Sequence, residues 1–238
     1  MSTRIALIGG HGKTGRAVAA ALEARGATPV PLGRADWDDL AGALRGCAAA
    51  YLIAPNMHPD EPAYVADALL ALREAGVTRV GYHSVAAPYA PGMPHHVGKA
   101  RGEDLVRRSG AAWTILQPGA YLQNLDLTRD VRVPYDVHAP FGFADLADVG
   151  EAAATVLLED GHVGATYELA TRQATVAELA AEAGVRAERV VPWHPPAGLD
   201  ERERAWLQAM FDYYDRHGLP VGTLPLRALL GRTAGPEG

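Results

Sequence analysis

The 238-residue chain has one cysteine, three phenylalanines and no apolar run of membrane-spanning length. Cys47 has no second thiol to pair with and no partner at metal-ligand spacing, so it points to neither a disulfide nor a thiolate site and is assigned to packing. Met1-Ser2-Thr3-Arg4 is followed by only four apolar residues before Gly9, too few for a secretory segment, and a cytoplasmic protein is expected. Positive charge is not in excess either. The formal net charge is −6, whereas phosphate backbones and anionic membranes require a basic face. The expected partner is a small-molecule substrate, with no nucleic acid and no membrane, and a homodimer is left open. The one basic cluster, residues 101–108, is interrupted by Glu103 and Asp104 and reads as a solvated helix face.

Other absences remove reaction classes. The histidines at 58, 83, 95, 96 and 138 do not fall at paired ligand spacing, so no metal site is expected. Ser84 has neither a G-x-S-x-G elbow nor a nearby Asp-His pattern, which argues against a hydrolase. Gly12-Lys13-Thr14 looks like the end of a triphosphate-cradling loop. That pattern needs glycine at position 7, where Leu7 stands in an apolar strand.

What is present is ordinary globular composition, 48% apolar and 21% charged. The first 120 residues alternate short apolar runs with helix-period segments, which predicts an α/β fold, a doubly wound parallel sheet of Rossmann type with a smaller C-terminal substrate lobe. Strands are expected at 4–8, 28–32, 48–53, 79–84 and 113–117, with a rudimentary one at 35–37. Helices are expected at 14–24, 38–44, 62–75 and 98–109. Residues 1–160 form the expected dinucleotide-binding domain and 161–238 the substrate lobe, partly interleaved with it. Beyond Gly119 the alternation decays: 131–143 is short and irregular, while 145–158 is an alanine-rich helix that packs back on the sheet. Thr175 and Glu178 fit a capping box, and a further helix follows Asp200. Its Trp206, Leu207, Met210, Phe211 and Tyr214 share one face, which is either core or the roof of a pocket. Residues 233–238 read as a frayed tail.

Gly9, Gly12 and Gly15 stand directly between the first strand and the first helix, at the spacing of a dinucleotide loop. One glycine permits the turn, one lets backbone approach a pyrophosphate, and one lets helix and strand pack closely. Lys13 and Thr14 are placed to touch phosphate. At the end of the second strand, Arg34 favours NADP(H) over NAD(H) through a charge-assisted contact with the 2′-phosphate, with Asp36 close behind as a competitor for the ribose or adenine. The reactive end of the cofactor belongs above the later strand ends, at Pro55, Ser84 and residues 117–121. Ser84 and Lys99 occupy two slots of a Ser, Tyr-x-x-x-Lys arrangement, but His95 stands where its tyrosine would be.

The segments Gly9-Gly-His-Gly-Lys-Thr-Gly-Arg16, Tyr51-Leu-Ile-Ala-Pro55, His95-His-Val-Gly-Lys99 and Gln117-Pro-Gly-Ala-Tyr-Leu-Gln-Asn124 resemble the NmrA-like atypical short-chain dehydrogenase/reductase family. The resemblance covers nearly the whole chain. A weaker similarity, in Gly12-Lys-Thr14 and Asp36-Trp-Asp-Asp39, is to its ergot-alkaloid-type imine reductase branch. It implies an NADP-binding core, cofactor roles for Gly9, Gly12, Gly15 and Arg34, and places for Lys99, Tyr121 and Asn124 near the nicotinamide. Gln117 departs from the arginine that many relatives carry.

The function expected is an NADPH-dependent reductase transferring a hydride to an imine, enone or quinone. Such acceptors need a positioned acid less than a simple ketone does. Where an acid is needed, His95, His96, Tyr89 and Tyr121 are candidates, and Lys99 is a ribose ligand. Two alternatives stand beside it: a non-catalytic NADP(H) redox sensor and a redox-neutral cyclase or isomerase on the same fold.

Overall fold

The computed structural model describes residues 2–232; the tail expected at 233–238 lies outside them. β1 (Arg4–Ile8) opens on an exposed Arg4 and continues as four apolar, buried residues, as a strand covered on both faces requires. It leads through the glycine loop into α1 (Lys13–Ala24) and then β2 (Thr28–Leu32). A 3₁₀ turn (Arg34–Asp39) runs straight into α2 (Leu40–Leu44), so the rudimentary strand expected at 35–37 does not form. Asp36 and Asp39 turn their carboxylates onto the amides of Gly33 and Gly42 and cap two successive helical turns instead.

The alternation continues through β3 (Ala49–Leu52), α3 (Glu61–Glu74), β4 (Arg79–His83), α4 (Pro94–Arg108) and β5 (Ala112–Pro118). Helix α4 starts four residues before the expected 98, because Pro94 presets the first-turn dihedral and needs no amide partner there. His95 and His96 therefore lie in the first turn of a helix, both buried, rather than in a loop. The chain then forms β6 (Ala120–Tyr121), β7 (Val131–Val133), β8 (Phe141–Ala144), α5 (Leu146–Leu158) and β9 (Ala165–Leu169). It continues with β10 (Arg172–Ala174), α6 (Val176–Glu182), β11 (Ala187–Arg189), α7 (Glu201–His217) and α8 (Leu224–Leu230). The boxes at Thr175 and Asp200 open α6 and α7.

Six parallel strands form the central sheet in the order β2-β1-β3-β4-β5-β9, the doubly wound arrangement expected. Alternate residues of β1 feed two cores: Ile5 and Leu7 pack with α1 and α5, Ala6 and Ile8 with α2 and α3. Gly150 lets α5 approach α1 so closely that a Cβ there would lie 2.6 Å from the Ala17 carbonyl oxygen. The division expected at residue 160 falls just before β9, which is the sixth strand of the central sheet. A third core, around Phe141, Phe143, Tyr214 and Leu219, belongs to the lobe built from β6–β8, β10, β11, α6 and α7. Tyr214 of α7 is part of that core and Met210 and Phe211 pack on it, whereas Trp206 lies against His95 at the other end of the helix. Among the described residues no helix is long and apolar enough to cross a membrane.

Candidate functional site

Strand order reverses between β1 and β3, and the crevice at their carboxyl ends is where an open α/β sheet takes a ligand. Glycines line it for different reasons. Gly9 has φ +80°, and a Cβ there would lie 2.4 Å from the Ile53 carbonyl oxygen. Gly10 is closed in by the Leu7 oxygen and Pro31 Cα, each 2.7 Å from an added Cβ, and Gly15 backs onto the Gly10 oxygen at 2.5 Å. Gly12 is different: its added Cβ would meet only the Gly9 oxygen, at 3.5 Å. It is the N-cap of α1 and offers no side-chain cap to the first amides of the 12-residue helix. That combination of bare backbone, a helix start without a side-chain cap and the positive end of a helix dipole fits a pyrophosphate.

Arg34 lies at the end of β2 beside this loop. It is exposed and has no hydrogen-bond or ion-pair partner among the described residues. The loop and the β2 end are held together: Gly9 and Gly10 both donate to the Leu32 carbonyl (3.0 and 3.1 Å), and His11 stands over Gly33. Asp36 spends its carboxylate on the Gly33 amide at 2.7 Å, turned toward its own loop.

Lys13 and Lys99 are the only lysines in the chain. Lys13 is exposed, donates to Asn124 Oδ1 and sits 5.2 Å from the centre of the Tyr121 ring. Thr14 donates to the Tyr121 hydroxyl at 3.4 Å. Lys13, Thr14, Tyr121 and Asn124 thus converge above the glycine loop, although 107 residues separate Thr14 from Tyr121.

Lys99 is buried. Its ammonium pairs with Glu61 Oε1 at 2.7 Å and donates to the His83 carbonyl at 3.1 Å. Glu61 also accepts from Tyr82 at 2.7 Å, and its other oxygen has no partner among the described residues. Ser84 donates to Glu103 Oε1 at 2.5 Å, so its hydroxyl is engaged within the protein. Glu103 is fully buried and accepts from Gln117 (2.6 Å), Arg107 (2.9 Å) and Tyr89 (3.3 Å) as well. The basic cluster read as a solvated face is therefore divided. His95, Lys99, Glu103 and Arg107 recur every fourth residue and share the inward face of α4, while Arg108 and Asp104 pair in solvent. Pro55 is exposed at the exit of β3, ahead of Met57, whose carbonyl accepts from Arg202 of α7 at 2.6 Å.

Two groups that sequence reasoning did not single out join this assembly from the other face of the sheet. Tyr51 on β3 lies opposite Gly81, which has no side chain to obstruct its ring, and reaches diagonally to His83 on β4. Its hydroxyl meets His83 Nδ1 at 2.8 Å, and His83 Nε2 meets the Tyr121 hydroxyl at 3.0 Å. Burial, with the Lys99 charge secondary, holds His83 down at about 3. The same two causes, with His96 added, hold His95 at about 3, and burial brings His96 to about 4 despite its bonds to the Ala86 and Ala87 carbonyls. Burial pushes the Tyr51 and Tyr121 phenols above their ordinary value. At neutral pH the histidines are uncharged and both phenols keep their protons.

Comparison with known proteins bears on this geometry. A family described as NAD(P)H-binding matches residues 20–160. The NAD(P)H azoreductase of Xenophilus azovorans is 31% identical over 161 residues, covering 64% of this chain and 56% of that protein. Quinone oxidoreductase 2 of Escherichia coli (strain K12) is 30% identical over 180 residues, 70% of this chain and 60% of that one. The matched stretch thus spans less than two thirds of either relative. In fold, the chain is similar to an Escherichia coli NADPH-dependent quinone oxidoreductase solved with NADPH (TM-score 0.78, 23% identity, 98% and 96% covered). It is also similar to NmrA, a negative transcriptional regulator, solved with NAD (TM-score 0.79, 18% identity, 97% and 91% covered).

Proposed function

The chain belongs to the NAD(P)H-binding family, and from that premise we propose that it is a member of the NmrA-like atypical short-chain dehydrogenase/reductase group that reduces a quinone-like small molecule with NADPH. NADPH, when bound, supplies the hydride. Gly9, Gly12 and Gly15 shape the pyrophosphate cradle, with Lys13 and Thr14 beside it. Arg34, without a partner among the described residues, is assigned to the 2′-phosphate. Pro55, Asn124, the strand end at Ser84 and Lys99 of α4 bound the nicotinamide side, where Lys99 has one N–H left after Glu61 and the His83 carbonyl.

The observation that carries this reading is the convergence of Thr14, Lys13, Asn124 and a protonated Tyr121 over the glycine loop. Tyr121 is the catalytic residue assigned here, as a hydrogen-bond donor to oxygen where charge develops. His95 and His96, neutral at pH 7, are poor acids. A site with one neutral donor to oxygen suits an acceptor whose reduced anion is already stabilised, which favours quinones and ranks enones and imines behind them.

The experiment is a titration with NADPH and NADH, followed by NADPH oxidation with quinones, azo dyes, enones and imines. Tight NADPH binding with quinone-dependent oxidation is expected. Binding without oxidation by any acceptor would replace the reductase with a sensor, and no binding at all would leave a redox-neutral role.

A further inference from the structure

A fully buried hydroxyl needs an acceptor for its proton, and for Tyr51 the one at hydrogen-bonding distance is His83 Nδ1. That nitrogen must then carry no proton. A neutral imidazole with a bare Nδ1 bears its hydrogen on Nε2, which donates to the Tyr121 oxygen. Thr14 donates to the same oxygen from the glycine loop. With two donors on its oxygen, the Tyr121 hydroxyl has no internal acceptor in His83 and turns its own proton outward. Two contacts keep this from slipping. The Lys99 ammonium grips the His83 carbonyl, and Gly81 provides the gap in which the Tyr51 ring lies.

We propose that Tyr51 and His83 are positioning residues that set the direction of the Tyr121 hydroxyl, fixing it as a donor to the carbonyl oxygen of the substrate. The proposal rests on the reductase reading above. It concerns orientation and not proton supply: the chain ends at Tyr51, sealed from water, and cannot reload a proton that Tyr121 had lost. Tyr121 keeps its proton, and the reduced oxygen takes its own from solvent.

The first test needs neither cofactor nor turnover. Imidazole ¹⁵N shifts of the free protein should show His83 as the Nε2–H tautomer, unchanged from pH 8 to about pH 6.5; an Nδ1–H tautomer would overturn the proposal. In Tyr51→Phe that preference should be lost. The second test is kinetic. Tyr121→Phe should lower kcat with the best quinone about a hundredfold, and Tyr51→Phe about tenfold, with NADPH affinity unchanged in Tyr51→Phe. Tyr51→Phe should cost nothing further in the Tyr121→Phe background, since there is no hydroxyl left to orient. A loss that persists there would mark Tyr51 as merely structural and overturn the proposal. If the wild-type protein oxidises NADPH with no acceptor, the reductase reading falls, whereas an Nε2–H tautomer that Tyr51→Phe abolishes still upholds the orientation of Tyr121.

Discussion

Arg34 and Lys99 are both cations near strand ends, and the protein treats them oppositely. Arg34 is exposed and unpartnered among the described residues, so removing it should leave the fold alone. Arg34→Ala is expected to weaken NADPH by about 1.5–3 kcal/mol, the worth of a charge-assisted hydrogen bond, while NADH affinity and Tm stay put. Titration with both cofactors checks this, and an equal loss for the two would remove Arg34 from the 2′-phosphate. Lys99 is sunk in an ion pair with Glu61, one oxygen of which already lacks a partner among the described residues. Lys99→Met would strand that carboxylate and should cost about 3–5 kcal/mol in chemical denaturation. Adding Glu61→Gln should recover much of it. A Lys99→Met protein as stable as wild type would show that the pair contributes nothing. Lys99 stood out in the sequence by its spacing from His95. Its partner did not, because Glu61 is one of many acidic residues at helix starts until α3 is laid against α4.

At the scale of elements, the glycine loop joins a strand end to a helix start, and the two kinds of glycine in it should separate by experiment. Gly15→Ala puts a methyl 2.5 Å from the Gly10 oxygen, so α1 must shift; a loss of about 1–3 kcal/mol is expected. Gly12→Ala meets no close neighbour and should cost about 1 kcal/mol or less as an N-cap change. Its effect should appear in NADPH affinity, where the methyl occupies the open space over the helix amides. Thermal melts and titrations of both variants decide it: similar melting losses would mean that the cradle is simply tight throughout. Helix α4 shows how far a periodic pattern can be read. Its charges at every fourth residue are legible, but in isolation such a stripe marks a solvated face. The stripe turns inward because Ser84 and Gln117, from two neighbouring strands, both offer hydrogen bonds to Glu103.

For the whole molecule, three buried neutral histidines make acid a common stress. His83, His95 and His96 sit at about 3, 3 and 4 in the native state, against 6.5 for a free imidazole. Above pH 6.5 the ring is neutral in native and unfolded chains alike. As pH falls below 6.5 the unfolded chain gains protons that the native one refuses, so stability drops until the native values near 3–4 are reached. At pH 5 this amounts to roughly 2 kcal/mol for each ring, and three rings together rival the stability of a typical domain. Urea midpoints should therefore fall steeply between pH 6.5 and 5, less so in His96→Gln. A flat profile over that range would mean that the rings are charged and solvated in the native protein.

Local patterning by itself determined the β1-loop-α1 unit and the cap at Thr175, because each depends on residues within a turn or two of one another, and the strand-helix alternation determined that the sheet would be parallel and doubly wound. It also determined that Lys13, Thr14, Arg34 and Tyr121 would lie along the strand ends. Only the tertiary structure decided which buried polar groups satisfy one another. Tyr51 finds His83 32 residues away and Thr14 finds Tyr121 107 residues away, since a group removed from water must be paired by whatever the sheet register and helix packing bring within 3 Å or so.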